Sequence, residues 1–249
     1  MAAHQVAHRI AEENQRTLNP TCTGTSVVAV TFDGGVAIVA DRVASYGKTA
    51  RYKGVSRLYR LNSSTLIGFG GDHADFQFIQ NLIYRRAHDY KAMCGDPDAE
   101  LSPMAVHSYL TALLYYRRSR MNPLWNTLVV VGTQPDDEGV KKPFIGIVTL
   151  KGVAYHPKYV ATGLGAMLIQ QSLETEFRKH QATYGAETKL TKDEAVGLLR
   201  KAMELVYYHD CLAHSEYEIG VVTTEDAAVL PPEELVGNWA MAETNCNYE

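Results

Sequence analysis

Cysteine is scarce in this chain: four in 249 residues, scattered as Cys22, Cys94, Cys211 and Cys246 with no C-x-x-C pair. That excludes a disulfide scaffold and suits a reducing compartment. Long apolar runs are lacking too, and nothing approaches the roughly 20 residues a membrane-spanning helix needs. The first 20 residues, broken by Glu12 and Glu13, contain no stretch that serves as a signal peptide. Charge of one sign is also missing. Lysines and arginines number 24 against 28 acids, for a net −4 with no block of like charge. A broad basic surface for nucleic acid is thereby excluded. The expected compartments are cytoplasm and nucleus, with neither nucleic acid nor membrane as partner.

Several chemical signatures are absent as well. "SYGKTA" ends like a phosphate-binding loop, but the glycine required five residues before Gly47 is Arg42, and no helical pattern follows. "GFGGDH" and "TGLGAM" lack the spacing of a dinucleotide fingerprint. No G-x-S-x-G elbow or H-E-x-x-H occurs. His209, Cys211 and His214 are close together but have no second cluster to complete a metal site, so they read as a helix end and loop. The basic run at 117–120 reads as a helix C-terminus complementing the dipole. No cofactor and no metal are expected.

What is present is 46% apolar residues in ordered blocks. Strands are expected at Ser26–Thr31 and Val36–Asp41 around a glycine turn, and a second hairpin at Ser56–Leu61 and Thr65–Phe69. Asp72 reads as the N-cap of a helix to about Met93, and Ser102-Pro103 as the start of a second helix. Strands resume at Leu128–Gly132 and Phe144–Leu150. A third helix is expected over Ala166–His180, and a fourth opens with the capping box at Thr191–Glu194. Two strands, Glu218–Thr223 and Ala228–Leu230, close the pattern. The order of strands, two helices, strands, two helices, strands predicts an α+β fold. Its form is a four-layer α-β-β-α sandwich of two stacked antiparallel sheets flanked by helix pairs. The expected boundaries are an N-terminal arm over 1–24, a body over 25–230 and a C-terminal extension over 231–249.

One constellation carries chemistry. Thr25 follows Gly24 at the start of a strand. If that bond is cut, its hydroxyl becomes a nucleophile with its own α-amine as base. In the uncut chain the nitrogen is an amide and accepts no proton.

The runs "TGTSVVAVTFDGGVAIVADRVASYG", "GFGGDHADFQ", "YYRRSRMNPLWNT", "KGVAYHPKYVATGLGA" and "LVYYHDCLAH" resemble the beta subunits of the proteasome core particle, in the N-terminal nucleophile hydrolase family. Within that group the likeness is to the non-catalytic subunits of the seventh beta position. The resemblance puts the nucleophile on Thr25, the two acids on Asp41 and Asp210, and the oxyanion-hole glycine on Gly71. The family's lysine falls on Arg57, its two serines on Leu164 and Ala213, and an arginine on Val43. Arginine does not lose its proton as lysine can, although Arg57 can still pair with Asp41. Phe69 and Tyr59 fall at the pocket for a substrate side chain and are expected to crowd it.

The resemblance therefore implies a non-catalytic structural subunit in which Thr25, Asp41, Arg57, Gly71 and Asp210 are vestigial. Its partners would be neighbouring beta subunits of the same ring, alpha-ring subunits, and beta subunits of the opposite ring. The last would be reached by the C-terminal tail, with Trp239, Met241 and Tyr248 as anchors. The alternative is an active threonine peptidase released by cleavage between Gly24 and Thr25.

Overall fold

A computed structural model describes residues 17–136, 138–185 and 189–240. Two antiparallel sheets form its centre. The larger has eight strands in the order β10-β9-β8-β7-β1-β4-β5, with β6 also pairing to β7. These are β1 (Cys22–Gly24), β4 (Val43–Tyr46), β5 (Thr49–Lys53), β6 (Leu58–Arg60), β7 (Thr65–Asp72), β8 (Asn126–Pro135), β9 (Lys141–Val148) and β10 (Ala154–Tyr155). The smaller has the order β11-β2-β3-β12-β13, with β14 added to β12. Its strands are β2 (Val27–Phe32), β3 (Gly35–Asp41), β11 (Tyr159–Ala161), β12 (Glu216–Thr223), β13 (Ala227–Val229) and β14 (Glu233–Glu234).

Strand alternation divides the apolar residues among three cores. Val27, Ala29, Ile38, Val129 and Val131 lie between the sheets. Val28, Val30, Ala37 and Val39 face the other way, toward Leu173, Leu199 and Val206. Leu128 and Val130 face Phe76, Ile79, Leu110 and Leu114. Three cores between four layers make the predicted sandwich. Strands buried on both faces explain the near-continuous apolar runs of β2 and β3.

The outer layers are helices α1 (His73–Cys94) and α2 (Pro103–Ser119) on one side. On the other side are α3 (Gly165–Leu168), α4 (Gln170–Tyr184) and α5 (Lys192–His209). Local chemistry sets their starts. The Asp72 and Ser102 side chains accept from Asp75 N and Ala105 N, and Thr191 with Glu194 closes a capping box.

The structure adds the short strands β1, β10, β11 and β14, which were not expected, and departs from expectation in two further places. The third helix is not continuous: it breaks at Ile169, where φ is −109° and the side chain turns into the core beneath α5. The segment between the first two expected hairpins also forms a hairpin of its own, β4–β5. All five residues of β5 are exposed, so no apolar alternation announced it.

Candidate functional site

Thr25 sits between β1 and β2, and β1 is an interior strand. It pairs with β7 through Thr23↔Asp72 and Gly24↔Gly71, and with β4 through Cys22↔Tyr46 and Thr23↔Ser45. The backbone preceding Thr25 thus fills the slot between β7 and β4. Upstream, Thr21 N donates to Asp72 Oδ1 at 3.1 Å. Further back, Thr17 Oγ1 donates to Asp75 Oδ1 at 2.6 Å, and Trp125 Nε1 donates to the Thr17 carbonyl at 2.8 Å. Trp125 N completes the clasp by donating to Asp75 Oδ2 at 2.8 Å. Sequence reasoning missed Asp75, which reads as an ordinary first-turn acid of α1, and gave Trp125 no role.

Arg57 organises the site from inside. Its side chain is fully buried and every guanidinium N–H is used. Nε donates to the Asp41 carbonyl at 2.9 Å. Nη1 donates to the carbonyls of Thr25 (3.0 Å) and Phe69 (3.1 Å), and Nη2 to the Ser26 carbonyl at 2.8 Å and to the Asp41 carboxylate. The fork therefore ties the residues leading into β2 to β3 and β7. Its Thr25 partner is the carbonyl, and its five donors leave no basic lone pair near the hydroxyl. Gly24 is required beside it, since a Cβ there would lie 2.5 Å from Arg57 Cδ.

Asp41 accepts from His214 N at 3.1 Å as well as from Arg57. Burial pushes its carboxyl above the ordinary value, opposed by the Arg57 guanidinium and the His214 N–H. Asp210 caps the end of α5. Its Oδ1 accepts from Leu212 N at 2.9 Å, and its Oδ2 accepts from the Thr25 hydroxyl. Ser26 Oγ stands 3.4 Å from that hydroxyl and accepts from Gly165 N at 2.9 Å.

Gly71 has φ +99°, and a Cβ would sit 2.0 Å from the Trp125 carbonyl oxygen, so only glycine fits. Its strand position is taken up opposite Gly24. Leu164 is 45% exposed and supplies no hydroxyl, Ala213 packs against the α5 core, and Val43 is buried. Phe69 is buried and stacked on Phe76 with centroids 3.6 Å apart, and Tyr59 packs against the same cluster.

Trp239 lies on the protein's own surface, edge-on to Tyr208 at 5.0 Å and 48% exposed. Asn238 N donates to Tyr208 Oη at 2.7 Å. Met241 and Tyr248 lie outside the described residues. Just before Trp239, Glu233 accepts from Arg200 Nε (2.8 Å), Arg200 Nη2 (2.6 Å) and Tyr217 Oη (2.6 Å). The Arg200 bonds hold the Glu233 carboxyl down at about 2, while burial and Glu233 push the Tyr217 phenol up to about 12.

His209 Nδ1 lies 2.9 Å from the Leu205 carbonyl and His214 Nδ1 accepts from Glu216 N, so both imidazoles engage backbone. Among the described residues no three His, Cys, Asp or Glu side chains stand together as a metal site, and no helix is long and apolar enough to cross a membrane.

The chain as a whole is similar to known proteins. A family profile described as "Proteasome subunit" matches residues 21–222. The chain is 40% identical to "Proteasome subunit beta type-4" of Xenopus laevis over 235 residues, 94% of this chain and 91% of the relative. It is 37% identical to the protein of the same name from Drosophila melanogaster, covering 91% of this chain and 80% of the relative. Against "Proteasome subunit beta type-7" of Saccharomyces cerevisiae it is 33% identical, covering 88% and 80%.

Proposed function

The chain belongs to the proteasome family of beta subunits, and we propose that it serves there as a non-catalytic structural member. In this reading it completes the beta ring, contacts the alpha ring and helps join the two beta rings of the core particle that carries out ATP- and ubiquitin-dependent protein degradation. It works in the cytoplasm and nucleus. Thr25, Asp41, Arg57, Gly71 and Asp210 keep the outline of a hydrolase site and serve as architecture.

The observation that carries this reading is the occupation of the site by the chain itself. β1 fills the slot between β7 and β4, opposite the Gly71 backbone where a peptide substrate would have to pair. The α-amine that a threonine hydroxyl would use as its base is an amide in the chain that carries β1. Loss of a general base alone costs roughly 10²–10⁴ in rate. The Thr17–Asp75–Trp125 clasp gives β1 a second attachment upstream.

Assembly is supported by apolar groups left at the surface. Met167 is 82% exposed beside Leu164, and Val236 is 94% exposed ahead of Trp239. Side chains of this kind are what a ring partner would cover.

One observation favours the other reading, an active threonine peptidase: the Thr25 hydroxyl already donates to the Asp210 carboxylate. Intact-mass measurement of the chain from assembled particles separates the two. A chain that retains residues N-terminal to Thr25 supports the structural role. One that begins at Thr25 and is labelled on its hydroxyl by an electrophilic inhibitor overturns it.

A further inference from the structure

At the end of β2 remote from Thr25 lies a cavity of about 650 Å³, lined from β2, β9, α4 and the chain between β10 and β11. That size lies within the roughly 300–1,000 Å³ of small-molecule sites. Phe32 at the end of β2, Phe144 on β9, Phe177 on α4 and Leu190 form its apolar walls. β2 is six residues long, so the cavity stands about 20 Å from the threonine. The two sites share no lining residue.

The charges among the lining residues decide what the cavity would take. Lys142, Lys158 and Lys189 line it. Lys142 is paired with Asp136, and Lys189 lies 3.3 Å from Asp33. His180 stands 3.7 Å from Glu194. Lys158 has no acidic partner among the described residues. Its backbone is nevertheless fixed, because its carbonyl accepts from both Thr31 N and Thr31 Oγ1 at 3.0 Å. Among the described residues, the lining thus includes one lysine without an acidic partner beside an aromatic surface. A polyanion such as a nucleotide would find its other phosphates facing cations already neutralised. A single negative charge on an apolar body fits both parts.

We infer that this cavity is a binding site for a carboxylate carried on an apolar stem, the stem among Phe32, Phe144 and Phe177 and the carboxylate on Lys158. The same chemistry is offered by a free fatty acid and by the C-terminus of a peptide ending in apolar residues. The inference is independent of whether Thr25 is catalytic.

The test is calorimetric titration of the full-length protein with sodium decanoate, with decylamine as the cationic control. A short peptide ending in Phe-Leu, as free acid and as amide, forms the second arm. Decanoate or the free-acid peptide is expected to bind one per chain, at least tenfold tighter than its uncharged or cationic counterpart. Lys158→Glu, at an exposed position, is expected to lose at least tenfold in affinity, with Lys158→Arg retaining it. Tighter binding of the peptide acid identifies a chain end as the natural source, and tighter binding of decanoate a fatty acid. Equal binding of acid and amine, no binding of either acid, or unchanged affinity in Lys158→Glu overturns the proposal.

Discussion

Arg57 and Asp41 face each other as an ion pair in which neither side chain is reached by solvent. A buried pair owes little net stability to its own attraction, because each charge has been stripped of water. Removing one partner is different, since the other is left charged and unpaired. Arg57→Met is therefore expected to cost about 3–5 kcal/mol, read as loss of thermal stability and of incorporation into particles. Asp41→Asn should cost less, because the carbonyls of Thr25, Ser26, Phe69 and Asp41 keep their donors. Arg57→Lys should resemble the methionine variant, since three donors on a point charge cannot serve five acceptors. Equal stability of Arg57→Lys and wild type would refute this account of the arginine.

Thr25→Ala removes a hydroxyl that donates to Asp210 and leaves the fork of Arg57 on the Thr25 carbonyl untouched. The stability loss should be about 1.5–3 kcal/mol, the worth of a hydrogen bond to a charged group. Assembly and all peptidase activities of the particle should stay unchanged. Loss of one peptidase activity in normally assembled particles would show that the hydroxyl reacts.

Gly71→Ala should be far more damaging than its size suggests. The residue has φ +99°, and a methyl group would meet the Trp125 carbonyl oxygen, which cannot swing away as a side chain can. That carbonyl accepts from Asp72 N, so the clash reaches the N-cap of α1 and the clasp on Thr17. Backbone strain of this kind costs roughly 1–3 kcal/mol, before the lost cap is counted. Chemical denaturation of the isolated full-length variant measures it.

How much of this was legible in the sequence depends on the range of the interaction. Asp72, Ser102 and Thr191 mark helix starts because a cap acts over three residues. The pairing of Arg57 with Asp41 was visible as two charges of opposite sign that the resemblance placed together. The other four donations of Arg57 go to backbone carbonyls, which have no residue signature. β1 was hidden for a similar reason: Thr23 and Gly24 pair with residues nearly 50 positions away, and a three-residue strand has no alternation to read. Trp239 was expected to face a partner, but its ring also packs on Tyr208, a contact that depends on how the chain turns after β14.

The cluster of Glu233, Arg200 and Tyr217 fixes a pH dependence whose sign follows from its pKa values. Glu233 is lowered from 4.5 to about 2. Its contribution to stability is therefore complete above 4.5 and is lost as pH falls toward 2. Tyr217 is raised from 10.0 to about 12, so its share is complete below 10 and is lost as pH rises toward 12. The difference in melting temperature between wild type and Glu233→Gln should be constant from pH 5 to 9. It should shrink on acidification below 4.5 and, through Tyr217, on the alkaline side above 10. A difference that grows on acidification would mean that the carboxylate is not the stabilised form.

The same cluster separates two explanations of what the tail does. Deleting Pro231–Glu249 removes β14 with Glu233 as well as Trp239 and everything beyond. A defect in joining half-particles after that deletion has two possible origins. One is a loosened end of β12, which β14 covers through Tyr217↔Glu233. The other is loss of an extended segment that reaches across the ring interface. Deletion from residue 240 onward keeps the Arg200–Glu233 bonds and the Trp239–Tyr208 contact, so the subunit itself should retain its melting temperature. Under the proposed clamp, this shorter truncation still lowers the yield of full particles and accumulates half-particles, read by native gel and sedimentation. Normal yield from it, with failure only in the longer deletion, would assign the tail to the stability of its own subunit and remove the argument for a clamp.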